Sequence, residues 1–204
     1  SNDWLALAIA VAGTTGGMAL ILVGNASNDM TVSLLVLLAL LLMLHAADSQ
    51  VHDARGLWRF GAAGLAGGVA VGLKLTMAPF AIGLASGALV LHAPLRLRLQ
   101  RFALLGVGGL VGAALFGGVW AYTLWHETGN PFFPYFNDII RSPLIFAASY
   151  RDPRFLPGNI VEALIYPFLF AWDGTLVSDV AFRDITIALA YAIVPLSLLW
   201  LLRS

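Results

Sequence analysis

Long apolar stretches alternate with short polar segments along most of the chain. The stretches 4–23, 30–46, 102–125 and 185–202 contain no Asp, Glu, Lys or Arg. A helix needs about 20 apolar residues to cross the hydrocarbon core of a bilayer. We therefore predict a membrane-spanning helix over each of these stretches.

A further apolar stretch, 57–92, is too long for one crossing. Its 36 residues would form a helix of about 54 Å, against a hydrocarbon core about 30 Å thick. Because Lys74 and Pro79 lie near its middle, the pattern predicts two helices, 57–73 and 76–92, that turn at Lys74. The expected fold class is all-α, a polytopic transmembrane helical bundle of about six spans.

The segment 126–184 breaks this pattern and separates the span at 102–125 from the last span within 185–204. It carries six of the nine prolines, and aromatic residues cluster in FFPYF and IYPFLFAW. Proline interrupts helices, and Trp, Tyr and Phe favour the headgroup level of a bilayer. We predict short interfacial helices in this long outer loop. The alternative is a plain connecting loop.

The composition disfavours several classes of protein. Hydrophobic residues make up 60% of the 204 positions and charged residues only 11%, whereas soluble domains carry roughly 25% charged residues. A soluble globular domain, a disordered protein and a nucleic-acid binder are therefore not expected, and the lipid bilayer is the expected partner. Without cysteine, the chain has no disulfide or thiolate metal site.

The basic residues predict which side of the membrane each loop faces. Arg96, Arg98 and Arg101 fall together just before the stretch 102–125, and short basic loops stay in the cytoplasm. Alternate crossings from that loop place Lys74 and the segment 126–184 on the extracytoplasmic side. The chain starts and stops abruptly against apolar stretches, so we expect it to be part of a longer protein.

Two ionisable residues at the outer ends of predicted spans are candidates for a functional site. Lys74 is the only lysine in the chain and lies in apolar sequence. Such a residue either meets an anion such as phosphate in a polar cavity, or extends its ammonium group to the headgroups. Asp29 is either a helix N-cap or a site-lining catalytic acid, because Ser27 or Asn28 would serve equally well as the cap.

Further polar residues border or lie within the segment 126–184. Arg141 and Arg183 are candidate phosphate-binding cations, with structural ion pairing as the alternative role. The other candidates for the site are Glu127, Asn130, Asp138 and Asp184. The sequence contains no metal-ligand spacing such as HExxH, and it identifies no cofactor.

Glycines recur at every fourth position within the predicted spans. Small residues at this spacing let transmembrane helices approach closely, so we expect helix–helix contacts at these positions. The repeats are Gly13/Gly17, Gly64/Gly68/Gly72, Gly83/Gly87 and Gly108/Gly112.

Three stretches between about residues 24 and 184 carry a family resemblance. They are Asn28-Asp29 before a leucine-rich helix, AGLAGGVAVGLKLTMAPF around Lys74, and TGNPFFPYFNDIIRSP with FRD at 182–184. Together they resemble the bacterial integral-membrane glycosyltransferases of the C-type (GT-C) fold. The resemblance implies an enzyme of the bacterial inner membrane that transfers a sugar from a polyprenyl-phosphate donor on the extracytoplasmic face.

The same resemblance implies roles for Asp29 and Lys74. Asp29 matches an acid ahead of a helix that borders the active site, and Lys74 matches a lysine near the lipid-linked phosphate. The family's catalytic carboxylate lies in a long first outer loop. Here the first outer connection is only GNASND, so the general base is expected outside this chain. The alternative is a non-catalytic subunit or scaffold that packs against partner membrane subunits.

Overall fold

A computed structural model describes residues 3–22, 28–48, 54–150 and 152–201. The described residues form helices and turns and contain no β-strand, which confirms the predicted all-α class. The chain divides into two compact units. We call the described residues of 28–150 the central unit, and those of 1–27 and 151–204 the terminal unit.

Both units are built from helices of very different lengths. In chain order the helices are α1 (Asp3–Thr14), α2 (Gly17–Ile21), α3 (Asp29–Asp48), α4 (Ala54–Leu73), α5 (Ala78–Val90), α6 (Leu95–Thr128), α7 (Asn137–Ile140), α8 (Ile160–Trp172) and α9 (Ile185–Leu201). Helices α3 to α7 belong to the central unit, and the others belong to the terminal unit.

Three helices in the described part of the chain, α3, α4 and α6, are long and apolar enough to cross a membrane. Helix α5 has 13 residues, or about 20 Å of helix, which is shorter than the hydrocarbon core. The structure therefore fits a membrane protein, whereas the predicted number of about six spans is not confirmed.

The predicted span 4–23 is not one continuous helix. Helix α1 ends at Thr14, where the hydroxyl groups of Thr14 and Thr15 donate to main-chain carbonyls one turn earlier, an arrangement that bends helices. Gly16 then leaves the helical conformation, with φ −58° and ψ 157°. A Cβ on Gly16 would lie closer than 3.0 Å to the Asp184 carboxylate, so contact within the terminal unit accompanies the break.

The predicted loop before 102–125 is also wrong, because α6 already begins at Leu95. Pro94 occupies the N-cap position, and the Leu and Arg residues after it are good helix formers. The Arg98 Nε donates to the carbonyl oxygen of Ala93 at 2.6 Å. The basic residues that predicted a loop therefore lie in the first two turns of α6.

Helix α4 is the centre of the central unit, between α3 and α6. It runs antiparallel to α3, so that Ala39 lies beside Gly67 and Asp29 lies beside Lys74. The larger core cluster, to which α5 and α6 also contribute, consists of Ala39, Met43, Ala46, Phe60, Ala63, Ala66, Leu84, Ala88 and Leu105. Because alanine predominates, the helix backbones come close together.

Helices α4 and α6 run parallel and touch through their main chains. A Cβ added at Gly64, Gly68 or Gly72 would come closer than 3.0 Å to main-chain atoms of α6. Gly108 and Gly112 face α4 in the same way. These repeats therefore form the close helix contact that their spacing predicts. By contrast, a Cβ at Gly13 or Gly83 would meet nothing within 4 Å.

Candidate functional site

Lys74 lies at the break between α4 and α5. Its backbone is extended, with φ −151° and ψ 109°, while its N–H still donates to the Ala70 carbonyl at 2.9 Å. A continuous helix is disfavoured here because Pro79 has no N–H for the carbonyl of Leu75, and its ring would clash there. A short 3₁₀ turn, Leu75–Met77, instead leads into α5.

Asp29 is the first residue of α3 and meets Lys74 from the facing helix. The Lys74 Nζ donates to Asp29 Oδ1, and the two groups form an ion pair across 45 positions of sequence. The Lys74 and Asp29 side chains are 28% and 32% exposed. Because the N-terminus of a helix carries partial positive charge, it also favours the Asp29 carboxylate.

The ion pair leaves the ammonium group with further bonding capacity. An ammonium group has three N–H donors, and the bond to Asp29 uses one of them. Partial exposure gives an external anion access to the remaining donors. Asp29 therefore fixes the position of a cation that can still contact a ligand. Asn28, one residue earlier, occupies the position that precedes the helix.

An apolar groove of about 500 Å³ lies along α4 and α6, and its lining includes neither Lys74 nor Asp29. Leu73 and Leu75, the neighbours of Lys74 in sequence, form one end of it. Residues of α6 between Leu110 and Leu124 form the long wall, and Pro131–Tyr135 cover it. The groove therefore offers an extended hydrophobic surface that reaches the sequence neighbours of Lys74.

Asn130, a sequence-predicted site residue, organises the loop that covers the groove. Its side chain is fully buried. The Nδ2 donates to the Tyr135 carbonyl at 2.8 Å, and the Oδ1 accepts from the Phe132 N–H at 2.9 Å. Both ends of the amide are thus used within the loop, which indicates a structural role.

Asn137 holds the next part of the loop in place through hydrogen bonds of the same kind. Its side chain is also fully buried; Nδ2 donates to the Phe146 carbonyl at 2.8 Å and Oδ1 accepts from the Ser142 N–H at 2.7 Å. The two asparagines hold the chain after α6 in one conformation. Its sequence, rich in proline and aromatic residues, predicted short interfacial helices or a plain connecting loop but not these two buried amides.

Three other predicted residues of the central unit are exposed. Glu127 Oε1 lies 3.3 Å from His126 Nδ1, and both side chains are 70% exposed. Asp138 lies in the first turn of α7, and Arg141 follows α7 with a positive φ of 56°. Their described hydrogen bonds and ion pairs do not include Lys74 or Asp29.

Arg183 and Asp184 belong to the terminal unit. Asp184 is 6% exposed, and its Oδ1 accepts from the N–H of Thr186 at 3.0 Å and from its hydroxyl group at 2.5 Å, so Asp184 caps α9. The guanidinium carbon of Arg183 lies 4.6 Å from the ring centroid of Trp172. Asp173 was not among the predicted site residues, and Trp172 stood out only as the last residue of the aromatic cluster IYPFLFAW, which the acid follows directly.

The described residues contain no group of three or more His, Asp or Glu side chains placed to hold a metal ion. Comparison of the chain with protein-family models, with curated proteins and with solved structures gave no match.

Proposed function

We propose that the chain belongs to a membrane-embedded glycosyltransferase that uses a polyprenyl-phosphate sugar on the extracytoplasmic face of a bacterial inner membrane. The observation that carries the proposal is the partly exposed Asp29–Lys74 ion pair, together with an apolar groove lined in part by Leu73 and Leu75, the sequence neighbours of Lys74. A polyprenyl phosphate combines an anionic group with a long hydrocarbon chain. The ammonium group suits the first part, and the groove suits the second.

Lys74 supplies the main chemical contribution in this scheme. When a sugar leaves a lipid phosphate, negative charge grows on the phosphate oxygens, and a fixed cation stabilises that charge. Asp29 holds the ammonium group in place and lines the site. The proton of the acceptor hydroxyl is removed by a general base outside this chain.

The first test measures binding of polyprenyl phosphate to the purified chain in nanodiscs. Replacing Lys74 by Gln should weaken binding about 10-fold or more, because a hydrogen bond to a charged group is lost. The uncharged polyprenol should bind the variant and the original chain equally. Arg154→Gln, which removes an exposed cation of the terminal unit, is the matched control.

A charge swap separates binding from simple ion pairing. The double variant Asp29→Lys, Lys74→Asp re-forms an ion pair but moves the ammonium group to α3. We expect a folded protein with weak polyprenyl-phosphate binding. Full recovery of binding would mean that binding requires only the ion pair, whichever helix carries the ammonium group.

Sugar transfer in membranes that carry the whole protein should fall about 10²–10³-fold in Lys74→Gln. A wild-type rate would remove Lys74 from the mechanism.

A non-catalytic subunit is the second candidate. It is favoured by two glycines that have empty space beside them. A Cβ added at Gly83 or Gly106 would have no neighbour within 4 Å, so these positions have room for a partner helix. In that case, Gly83→Leu and Gly106→Leu should displace the partner and lower the apparent mass of the native complex on a blue native gel. Both variants should leave polyprenyl-phosphate binding intact. The enzyme proposal expects no such dependence.

A further inference from the structure

The terminal unit contains a rigid main-chain frame around Arg183. The Gly174 N–H donates to the Phe182 carbonyl at 3.0 Å, and the Asp184 N–H donates to the Ala171 carbonyl at 3.0 Å. The ring of Phe182 lies so close to Gly174 that an added Cβ would come within 3.0 Å of it. The segments before and after Arg183 are therefore fixed against the end of α8.

This frame holds a pocket of about 500 Å³, lined by Trp172, Asp173, Ala181, Phe182 and Arg183. Arg183 stacks on the Trp172 ring, and among the described residues no ion pair within 4.0 Å joins it to Asp173. Its N–H donors therefore remain available to a ligand in the pocket.

Asp173 presents an acceptor in the same pocket. Its Oδ1 accepts from the N–H and the hydroxyl group of Thr175, at 3.1 and 2.6 Å. These hydrogen bonds, with a smaller contribution from Arg183, lower the pKa of Asp173. The carboxylate is thus ionised and fixed through one oxygen, and its second oxygen has no described hydrogen bond.

Helix α8 leads directly into this pocket and is apolar on its surface. It has no buried residue, and Ile160, Val161 and Leu164 are 80%, 69% and 60% exposed. Trp172, at its last turn, is 71% exposed. Exposed apolar side chains that end in a tryptophan beside charged groups are typical of a helix that reaches the headgroup level.

We propose that this pocket binds the headgroup of a phosphatidylethanolamine lipid, with its phosphate on Arg183 and its primary ammonium group on Asp173. The acyl chains then lie along the apolar surface of α8. The planar fork of a guanidinium group matches two phosphate oxygens. The pocket has one positive and one negative side chain, which complements a zwitterion.

The carboxylate distinguishes this headgroup from related ones. A primary ammonium group offers three N–H donors to the free oxygen of Asp173, whereas the quaternary ammonium of phosphatidylcholine offers none. An anionic headgroup such as that of phosphatidylglycerol would lack a cation for Asp173. The inference uses residues of the terminal unit alone and does not depend on the proposed sugar transfer.

The test is lipid binding to the full chain in detergent, measured by native mass spectrometry. Phosphatidylethanolamine, phosphatidylcholine and phosphatidylglycerol with identical acyl chains are offered at equal concentration. We expect retention of phosphatidylethanolamine at least about 10-fold above the other two, the size expected for one charge-assisted hydrogen bond. Soluble phosphoethanolamine should compete only weakly because it lacks the chains that contact α8.

Variants test whether the preference for phosphatidylethanolamine depends on Arg183 and Asp173. Arg183→Gln and Asp173→Asn should each abolish it, while Arg183→Lys should retain part of it through its charge. Arg154→Gln and Asp179→Asn remove exposed charges from the same unit and should leave it unchanged. Circular dichroism of each variant checks that the helices are intact.

Three results would overturn the proposal. They are equal retention of phosphatidylcholine, stronger retention of phosphatidylglycerol, and an unchanged preference in folded Arg183→Gln or Asp173→Asn. Tight binding of soluble phosphoethanolamine, equal to that of the lipid, would overturn the lipid assignment and indicate a free metabolite as the ligand.

Discussion

At the scale of single residues, the sequence singled out Asp29 and Lys74 separately but did not predict the ion pair between them. Each residue stood at the outer end of a separate apolar stretch, and alternate crossings placed both on one side. The structure brings them into an ion pair. Asn130 illustrates the opposite case, because a polar residue in a loop offers the same sequence signal whether it binds a ligand or the loop itself.

The Asp173 carboxylate gives a pH-dependent prediction. Hydrogen bonds from Thr175 lower the pKa of Asp173 below the ordinary value of 3.8. A lowered pKa means that the ionised form is favoured in the folded chain, so this stabilisation is complete above pH 3.8 and is lost as the pH falls through the lower, folded-state value.

Thr175→Val should therefore raise the pKa of Asp173 towards its ordinary value, because it removes the hydroxyl donor. Thr175→Ser keeps the hydroxyl group and should preserve most of the shift. A pH titration of the carboxyl ¹³C chemical shift measures both. Identical titration curves for the Val and Ser variants would contradict the assigned cause.

At the scale of helices, the contact between α4 and α6 gives a matched pair of substitutions. A Cβ at Gly108 would press on main-chain atoms at Gly61, whereas a Cβ at Gly106 would meet nothing within 4 Å. Gly108→Ala should lower the free energy of unfolding in detergent by about 1–3 kcal/mol, the usual cost of overpacking.

Gly106→Ala is the control for this prediction, two positions away on the same helix. It should leave the free energy of unfolding unchanged or raise it slightly, because alanine is the better helix former. Thermal or SDS-induced unfolding followed by circular dichroism measures both variants. Equal stability of Gly108→Ala and the original chain would show that the helices can separate at no cost.

The helices themselves were predictable to different degrees. The length of the stretch 57–92 required a break, and Pro79 with Lys74 marked its place; α4 ends at Leu73 and α5 begins at Ala78. The break after Thr14 was hidden, because hydropathy records neither hydroxyl groups that bond to the backbone nor a contact with distant Asp184. The early start of α6 could not be predicted from charge, because a basic cluster occurs both in loops and in the first turns of helices.

At the scale of the whole molecule, the orientation in the membrane can be tested cleanly because the chain has no cysteine. Gln100 lies in the basic first part of α6, and Asp138 lies beyond its other end; both are exposed. The positive-inside rule places Gln100 in the cytoplasm and Asp138 outside.

Single-cysteine variants at these positions test that orientation. Asp138→Cys should react with a membrane-impermeant maleimide in intact cells with a permeable outer membrane. Gln100→Cys should react only after the inner membrane is opened. The reverse pattern would place Lys74 on the cytoplasmic side and remove the basis for sugar transfer on the outer face.

The main-chain contact between α4 and α6 also has a genetic consequence. Because the two helices run parallel, each close position has its counterpart 41 residues later, as in Gly64 with Leu105, Gly68 with Gly109, and Gly72 with Ala113. Because the close atoms of α6 belong to its main chain, a bulkier residue on α4 can be accommodated only if α6 shifts, which a smaller side chain near the contact would allow. Suppressor mutations of a damaging Gly68 allele should therefore map to the neighbourhood of residue 109.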